Sequence, residues 1–188
     1  MLERLLRLKD VIIFAGIMWI AHFTNWMLDG KFWSYGVAPR SVDHLSGIVF
    51  SPFIHGDYIH LISNTVPLLI FGGLISQEAK WRFWQVSVTL IFLSGGLLWL
   101  VGFDGIHFGA SGVVFGLFSY LLGRAWWRRD FLSILAAVIV LALYSGLISS
   151  LFVIKEGISW EGHLVGFLAG GIVAYVVTRF QRPAAEQV

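Results

Sequence analysis

The segment GFDGIHFGASGVVFGLFSYLLGRAWWRR, Gly102 to Arg129, decides how the chain is read. Its apolar run starts near Ser111 and ends near Ala125. At about 1.5 Å per residue, a helix over that run reaches roughly 20–23 Å. The hydrocarbon core of a bilayer is about 30 Å thick. If the run is a membrane span, the loop before it, Gly102 to Gly109, must dip into the membrane plane. Irregular backbone at that depth is tolerated only inside protein or beside a water-filled cavity. The start of this short helix is therefore expected in a buried, wet pocket.

The rest of the chain supports the membrane setting. Of 188 residues, 57% are hydrophobic and 13% charged, about half the charged share of soluble domains, which is too little to cover a water-facing surface. Sixteen Phe and nine Trp fit apolar spans with interfacial aromatic belts. Six apolar stretches follow in order: Val11–Leu28, Tyr58–Ser76, Trp84–Val101, Ser111–Ala125, Phe131–Val153 and Gly162–Phe180. The runs are continuous, which excludes the alternating ten-residue segments of a β-barrel. The fold class is all-α: a polytopic bundle of six transmembrane helices with a short fourth helix. Nothing divides residues 1–188, so one domain is expected. The first run is read as a retained span, not a cleaved signal.

Orientation follows from the basic residues. With the N-terminus in the cytoplasm, Arg4, Arg7, Lys9, Lys80, Arg82, Arg124, Arg128, Arg129, Arg179 and Arg182 lie inside, and Lys31, Arg40 and Lys155 outside. Ten against three follows the positive-inside rule and returns both termini to the cytoplasm. The basic residues are spread between apolar segments, so no nucleic-acid partner is implied. The absence of cysteine excludes disulfides, thiolate metal sites and a cysteine nucleophile.

Polar groups inside spans are costly and call for a functional explanation. Three clusters stand at the outer ends of their spans: His55, His60 and Asn64; Gly109-Ala110-Ser111-Gly112; and His163 in Gly162-His163-Leu164-Val165-Gly166. His60 and Asn64 are four apart and share a helix face. A serine hydroxyl needs a base within hydrogen-bond reach, and His163 is the natural candidate. Gly112 and Gly116 with Gly166 and Gly170 form small-xxx-small faces that let the two helices approach. Free N–H groups at the helix start can hold a developing oxyanion, and His60 and Asn64 can add donors. No carboxylate stands where it would orient His163; Asp57, Asp104 and Glu161 read as loop residues, so a Ser–His dyad is expected. Taken singly, each residue has a plainer role. Ser111 can be a cap, His60 and Asn64 a tie between helices, His22 a structural residue, and His44, His55 and His107 loop residues, with His107 close to the pocket. Trp126 to Arg129 reads as an interfacial anchor.

The ordered set resembles the rhomboid family of intramembrane serine proteases, over nearly the whole chain. The match comprises Ser51-Pro52-Phe53-Ile54-His55, His60-x3-Asn64, Gly109-Ala110-Ser111-Gly112 and His163-x2-Gly166-x3-Gly170. The resemblance implies Ser111 as nucleophile and His163 as base. It implies an oxyanion site at His60 and Asn64, and an active-site loop shaped by Gly109 with Ala110. Gly112, Phe115 and Gly166 take supporting places. It implies cleavage of transmembrane protein substrates near the outer face of the bilayer, with small residues preferred before the cut and no metal or cofactor. By analogy the membrane is a prokaryotic plasma membrane. Two departures stand out. Phe115 occupies a position where many rhomboids have tyrosine, and Gly47-Ile48-Val49-Phe50 lacks their Trp-Arg pair. The principal alternative is a non-catalytic, rhomboid-like binder of membrane spans. A transporter would need an inverted repeat, and a metalloprotease an HExxH motif, and neither is found. Oligomeric state is not legible.

Overall fold

A computed structural model describes residues 2–151 and 159–181. Among the described residues, eight α-helices follow one another: α1 Leu2–Met27, α2 Gly47–Phe50, α3 Tyr58–Ser76, α4 Arg82–Val101, α5 Ser111–Arg128, α6 Phe131–Tyr144, α7 Gly146–Ser150 and α8 Trp160–Gln181. Among the described residues there is no strand, only an isolated antiparallel bridge between Val37 and His107. Three helices, α3, α4 and α8, are long and apolar enough to cross a membrane by length and composition.

The predicted spans map onto α1, α3, α4, α5, α6 with α7, and α8, and three of them need correction. The first helix starts at Leu2, well before the apolar run, because Arg7 and Lys9 suit a helix as well as any apolar residue does. The fourth runs 18 residues to Arg128, not to Ala125. Its length of roughly 27 Å leaves a smaller shortfall than expected. The fifth is broken at Ser145, where α6 ends and α7 begins at Gly146. Glycine and serine are weak helix formers, and their pairing is a common place for a helix to bend. Phe152, Val153, Lys155 and Arg182, which the sequence reading placed in the fifth span or assigned to a side, lie outside the described residues.

α5 is the central shaft, packed by α3, α4, α6 and α8. Every residue from Val113 to Leu121 is buried. Phe14, Leu61, Leu68, Phe71, Phe83, Leu90, Leu117 and Phe118 form the apolar core around it. α6 turns Phe131, Leu132, Ile134 and Val138 outward, as a lipid-facing helix does.

The closest packing joins α5 to α8. A Cβ at Gly166 would collide with the Gly112 carbonyl, and one at Gly170 with the Gly116 carbonyl. Two successive turns therefore meet backbone to backbone. Ser119 Oγ bridges the same interface, donating to the Phe167 carbonyl at 2.5 Å. Apolar burial gives little drive between helices in lipid, so close packing of small residues and interhelical hydrogen bonds supply the association.

At the Arg124 end of the bundle, Glu78 lies buried in the turn between α3 and α4. Its carboxylate pairs with Arg124, lies 3.7 Å from Arg82 Nε, and accepts from Tyr120 Oη at 2.8 Å. Burial pushes the Glu78 carboxyl up; the Arg124 charge and the Tyr120 hydroxyl oppose this. Arg82 and Arg124, assigned from sequence to the cytoplasmic side, are thus largely buried partners in one network.

Candidate active site

Ser111 is the first residue of α5 and is partly buried. The helix has no side-chain cap, because its N-cap is Ala110. Among the described residues, no hydrogen bond occupies the Ser111 amide, which stands free at the positive end of the helix. The two amides before it are occupied. Gly109 N–H donates to the Ser51 carbonyl at 2.8 Å, and Ala110 N–H to His55 Nε2 at 3.4 Å. Gly109 and Ala110, grouped with the oxyanion residues from sequence, thus spend their amides in holding the loop.

Gly109 is required twice over. Its φ of +120° is a conformation that side chains rarely adopt, and a Cβ there would sit 2.6 Å from His60 Nε2. The loop thereby lies directly against the His60 ring. His60 is placed by Asp57, which caps α3 by accepting the His60 N–H at 2.7 Å. Asp57, read from sequence as a loop residue, lies just outside the helix and caps it. One turn on, Asn64 is buried and donates one amide N–H to the His60 carbonyl at 2.8 Å, leaving its second donor uncommitted by that bond.

His163 lies in the first turn of α8. Its ring stacks nearly flat on Phe115, with centroids 4.3 Å apart and an interplanar angle of 13°. Phe115 is four residues beyond Ser111 and so lies one turn below it on the same face of α5. The Gly112–Gly166 contact brings the two backbones together at that level. Among the described residues, no hydrogen bond joins Ser111 to His163, and no close hydrogen bond reaches the buried His163 Nδ1, although the Ser150 backbone lies near enough to act on the ring. Catalytic hydrogen bonds are often long in unliganded sites and tighten only with substrate.

His55 is 1% exposed and meets the His60 ring edge-on at 5.0 Å. Burial, with the nearby His60 next in weight, lowers its pKa to about 3, so it stays a neutral acceptor for Ala110. A small cavity of about 40 Å³ opens beside Ser111, between Ile91, Ser94 and Leu98 of α4, Pro52, and the loop from His107 to Gly109. It is large enough for a few water molecules.

The sequence reading missed Ser159, and named Ser51 only as part of a motif, without its carbonyl's bond to Gly109. It placed Glu161 in an outer loop, whereas Glu161 is buried in the first turn of α8 and lies 3.6 Å from His107, not beside His163. The Ser159-x-x-Gly162 spacing before an apolar run was a legible cap signal. Ser159 Oγ accepts the Gly162 N–H at 3.3 Å.

Comparison with known proteins gives the family. A profile of the rhomboid domain matches residues 42–180. An uncharacterised protein of Mycobacterium tuberculosis is 32% identical over 93% of this chain and 76% of its own length. A chloroplastic rhomboid-like protein of Arabidopsis thaliana is 29% identical over 74% of this chain and 55% of its own. A Bacillus subtilis protein named as a rhomboid protease is 24% identical over 65% and 62%. With its apolar helical bundle and a domain match over most of its length, this integral membrane protein belongs to the rhomboid family.

Proposed function

We propose that the chain is an intramembrane serine endopeptidase acting through a Ser111–His163 dyad on transmembrane protein substrates near the outer membrane face. The observation that carries the reading is the flat stack of His163 on Phe115, one turn below Ser111, on helices in backbone contact. The stack on Phe115 and the Gly112–Gly166 backbone contact hold an imidazole at the level of the hydroxyl-bearing turn, the arrangement nucleophilic catalysis needs.

In the proposed reaction, Ser111 Oγ attacks the scissile carbonyl carbon while His163 takes the hydroxyl proton. The free Ser111 amide holds the oxyanion, with donors from His60 and Asn64. Collapse breaks the C–N bond, and His163 passes its proton to the leaving amine. A water from the adjacent cavity, deprotonated by His163, then attacks the acyl-enzyme and releases the acid. The positive-inside count supports an orientation with both termini in the cytoplasm, and the prokaryotic plasma membrane is part of the proposal by analogy with compact six-span forms.

A non-catalytic binder of membrane spans is the second reading, favoured by the missing Ser111–His163 hydrogen bond. Labelling with a fluorophosphonate probe, alongside cleavage of a model transmembrane substrate, separates the two. Wild type should label and cleave. Ser111→Ala should lose labelling and at least about 10³-fold in turnover with the fold intact, and His163→Ala should follow it. Cleavage by purified Ser111→Ala would remove the nucleophile assignment. A folded wild type that neither labels nor cleaves would favour the binder.

A further inference from the structure

His107 joins three parts of the chain. Its backbone exchanges two hydrogen bonds with Val37, His107 N–H to the Val37 carbonyl and Val37 N–H to the His107 carbonyl, both at 2.8 Å. Its ring Nε2 lies 2.9 Å from the Phe103 carbonyl, within its own loop. Its ring Nδ1 lies 2.9 Å from Ser159 Oγ and 3.6 Å from Glu161 Oε1, at the start of α8. Phe103 and Trp160 add a ring contact at 6.0 Å between the same two segments. His107 precedes Ser111 by four residues, and Ser159 precedes His163 by four. The ring therefore ties the approach to one proposed catalytic residue to the approach to the other.

The chemistry of the tie can be worked out. A carbonyl oxygen only accepts, so Nε2 must carry a proton. In the neutral ring, Nδ1 is then a lone pair that accepts the Ser159 hydroxyl, while Ser159 Oγ still accepts the Gly162 amide and caps α8. In the charged ring, Nδ1–H donates to Ser159 Oγ and faces the Glu161 carboxylate. The contact survives in either charge state. Phenylalanine or leucine would fill the space and lose the tie.

We propose that His107 is a positioning residue, whose bond to Ser159 fixes the first turn of α8, and with it His163, relative to the Ser111 loop. The proposal rests on the dyad reading above. A misplacement of about an ångström can cost on the order of 100-fold in rate. Loss of the tie should therefore act on kcat and leave substrate binding and stability nearly unchanged.

The test uses the full chain in liposomes: wild type, His107→Ala, His107→Asn, Ser159→Gly and the His107→Ala/Ser159→Gly double variant. Glycine is chosen at 159 because it nearly preserves capping while removing the hydroxyl. The measurements are kcat and KM on a model transmembrane substrate, the thermal midpoint, and the ring resonances of His163 in histidine-labelled protein. The expected result is a kcat loss of about 10- to 100-fold in His107→Ala and in Ser159→Gly, with KM within about twofold. The double variant should be no worse than the poorer single one, because both changes break one contact. His107→Asn, which can present an oxygen near the Nδ1 position, should recover part of the rate. A kcat within twofold of wild type, losses that multiply in the double variant, or losses matched by a fall in thermal midpoint would overturn the proposal. If wild type itself turns nothing over, the dyad reading fails. The tie is then judged on the resonances alone: a shift of His163 in Ser159→Gly supports it, and unchanged resonances defeat it.

Discussion

The two ends of α5 are built on opposite plans. At the Arg124 end, Glu78 meets two arginines and a tyrosine hydroxyl, so a costly buried carboxylate is surrounded by partners. At the Ser111 end, among the described residues, the helix has no side-chain cap, its first amide makes no hydrogen bond, and no close hydrogen bond reaches the buried His163 Nδ1. Ser111 and Arg124 lie on the same helix, so the ion-paired end can supply the stability that the other end forgoes. Unsatisfied polar groups are expected where chemistry is done, which is in keeping with the dyad proposed at the Ser111 end.

The largest effect should come from removing the anchor. Glu78→Ala leaves Arg82 and Arg124 buried without their anion and should cost about 3–5 kcal/mol in unfolding free energy. If the division of labour is real, kcat per folded molecule stays close to wild type. A kcat that collapses while the protein remains folded would show that the two ends are coupled.

Next comes pH, which acts on the Ser111 end through His55. Its folded pKa of about 3 lies below its unfolded value near 6.5, so the unfolded chain binds the extra proton between those limits. Stability should rise with pH across that window and fall as the solution is acidified. The share due to His55 is at most about 1.4 kcal/mol per pH unit. Denaturant titrations from pH 7 to 4 should show a shallower decline in His55→Gln than in wild type. Parallel curves would mean that His55 is not the group responsible.

A smaller effect sharpens the contrast from the catalytic side. Phe115→Leu removes the flat face under His163 and should cost about 1 kcal/mol of orientation, roughly fivefold in kcat, with little change in stability. Phe115→Tyr should keep the rate. The weakest effect belongs to Arg40 and Asp104, a pair 2.6 Å apart whose aspartate is almost fully exposed. Asp104→Asn should leave the thermal midpoint unchanged, since Arg40 still donates to the Gly102 carbonyl at 2.7 Å.

Much of this was legible before any coordinates. The predicted span Tyr58–Ser76 coincides with α3, and those for α4 and α8 fall short by two residues at their starts, because continuous apolar runs report directly on membrane-buried helix. Hydropathy measures what lies in lipid, not where hydrogen bonding stops. It therefore missed the polar first turns of α1 and the basic last turn of α5. It is equally blind to the break at Ser145, where every neighbour is apolar. At the site, the residues on which the proposal turns announced themselves as polar groups within apolar segments. Glu78 did not, and Ser159 was legible only as a cap, because their further partners, Tyr120 and His107, lie 42 and 52 residues away. Such pairings become visible only once the chain is folded.

The backbone contact between Gly112 and Gly166 carries a consequence for kinship. On the proposed chemistry, the gap between nucleophile and base is set by a carbon atom that glycine lacks. A single added methyl at position 166 would force the helices apart while leaving both reactive side chains intact in the sequence. A descendant could thus keep its serine and histidine and fall silent, so loss of activity within such a lineage need leave no mark on the dyad. Sorting working members from retired ones should begin with the smallest residues in the helix seam.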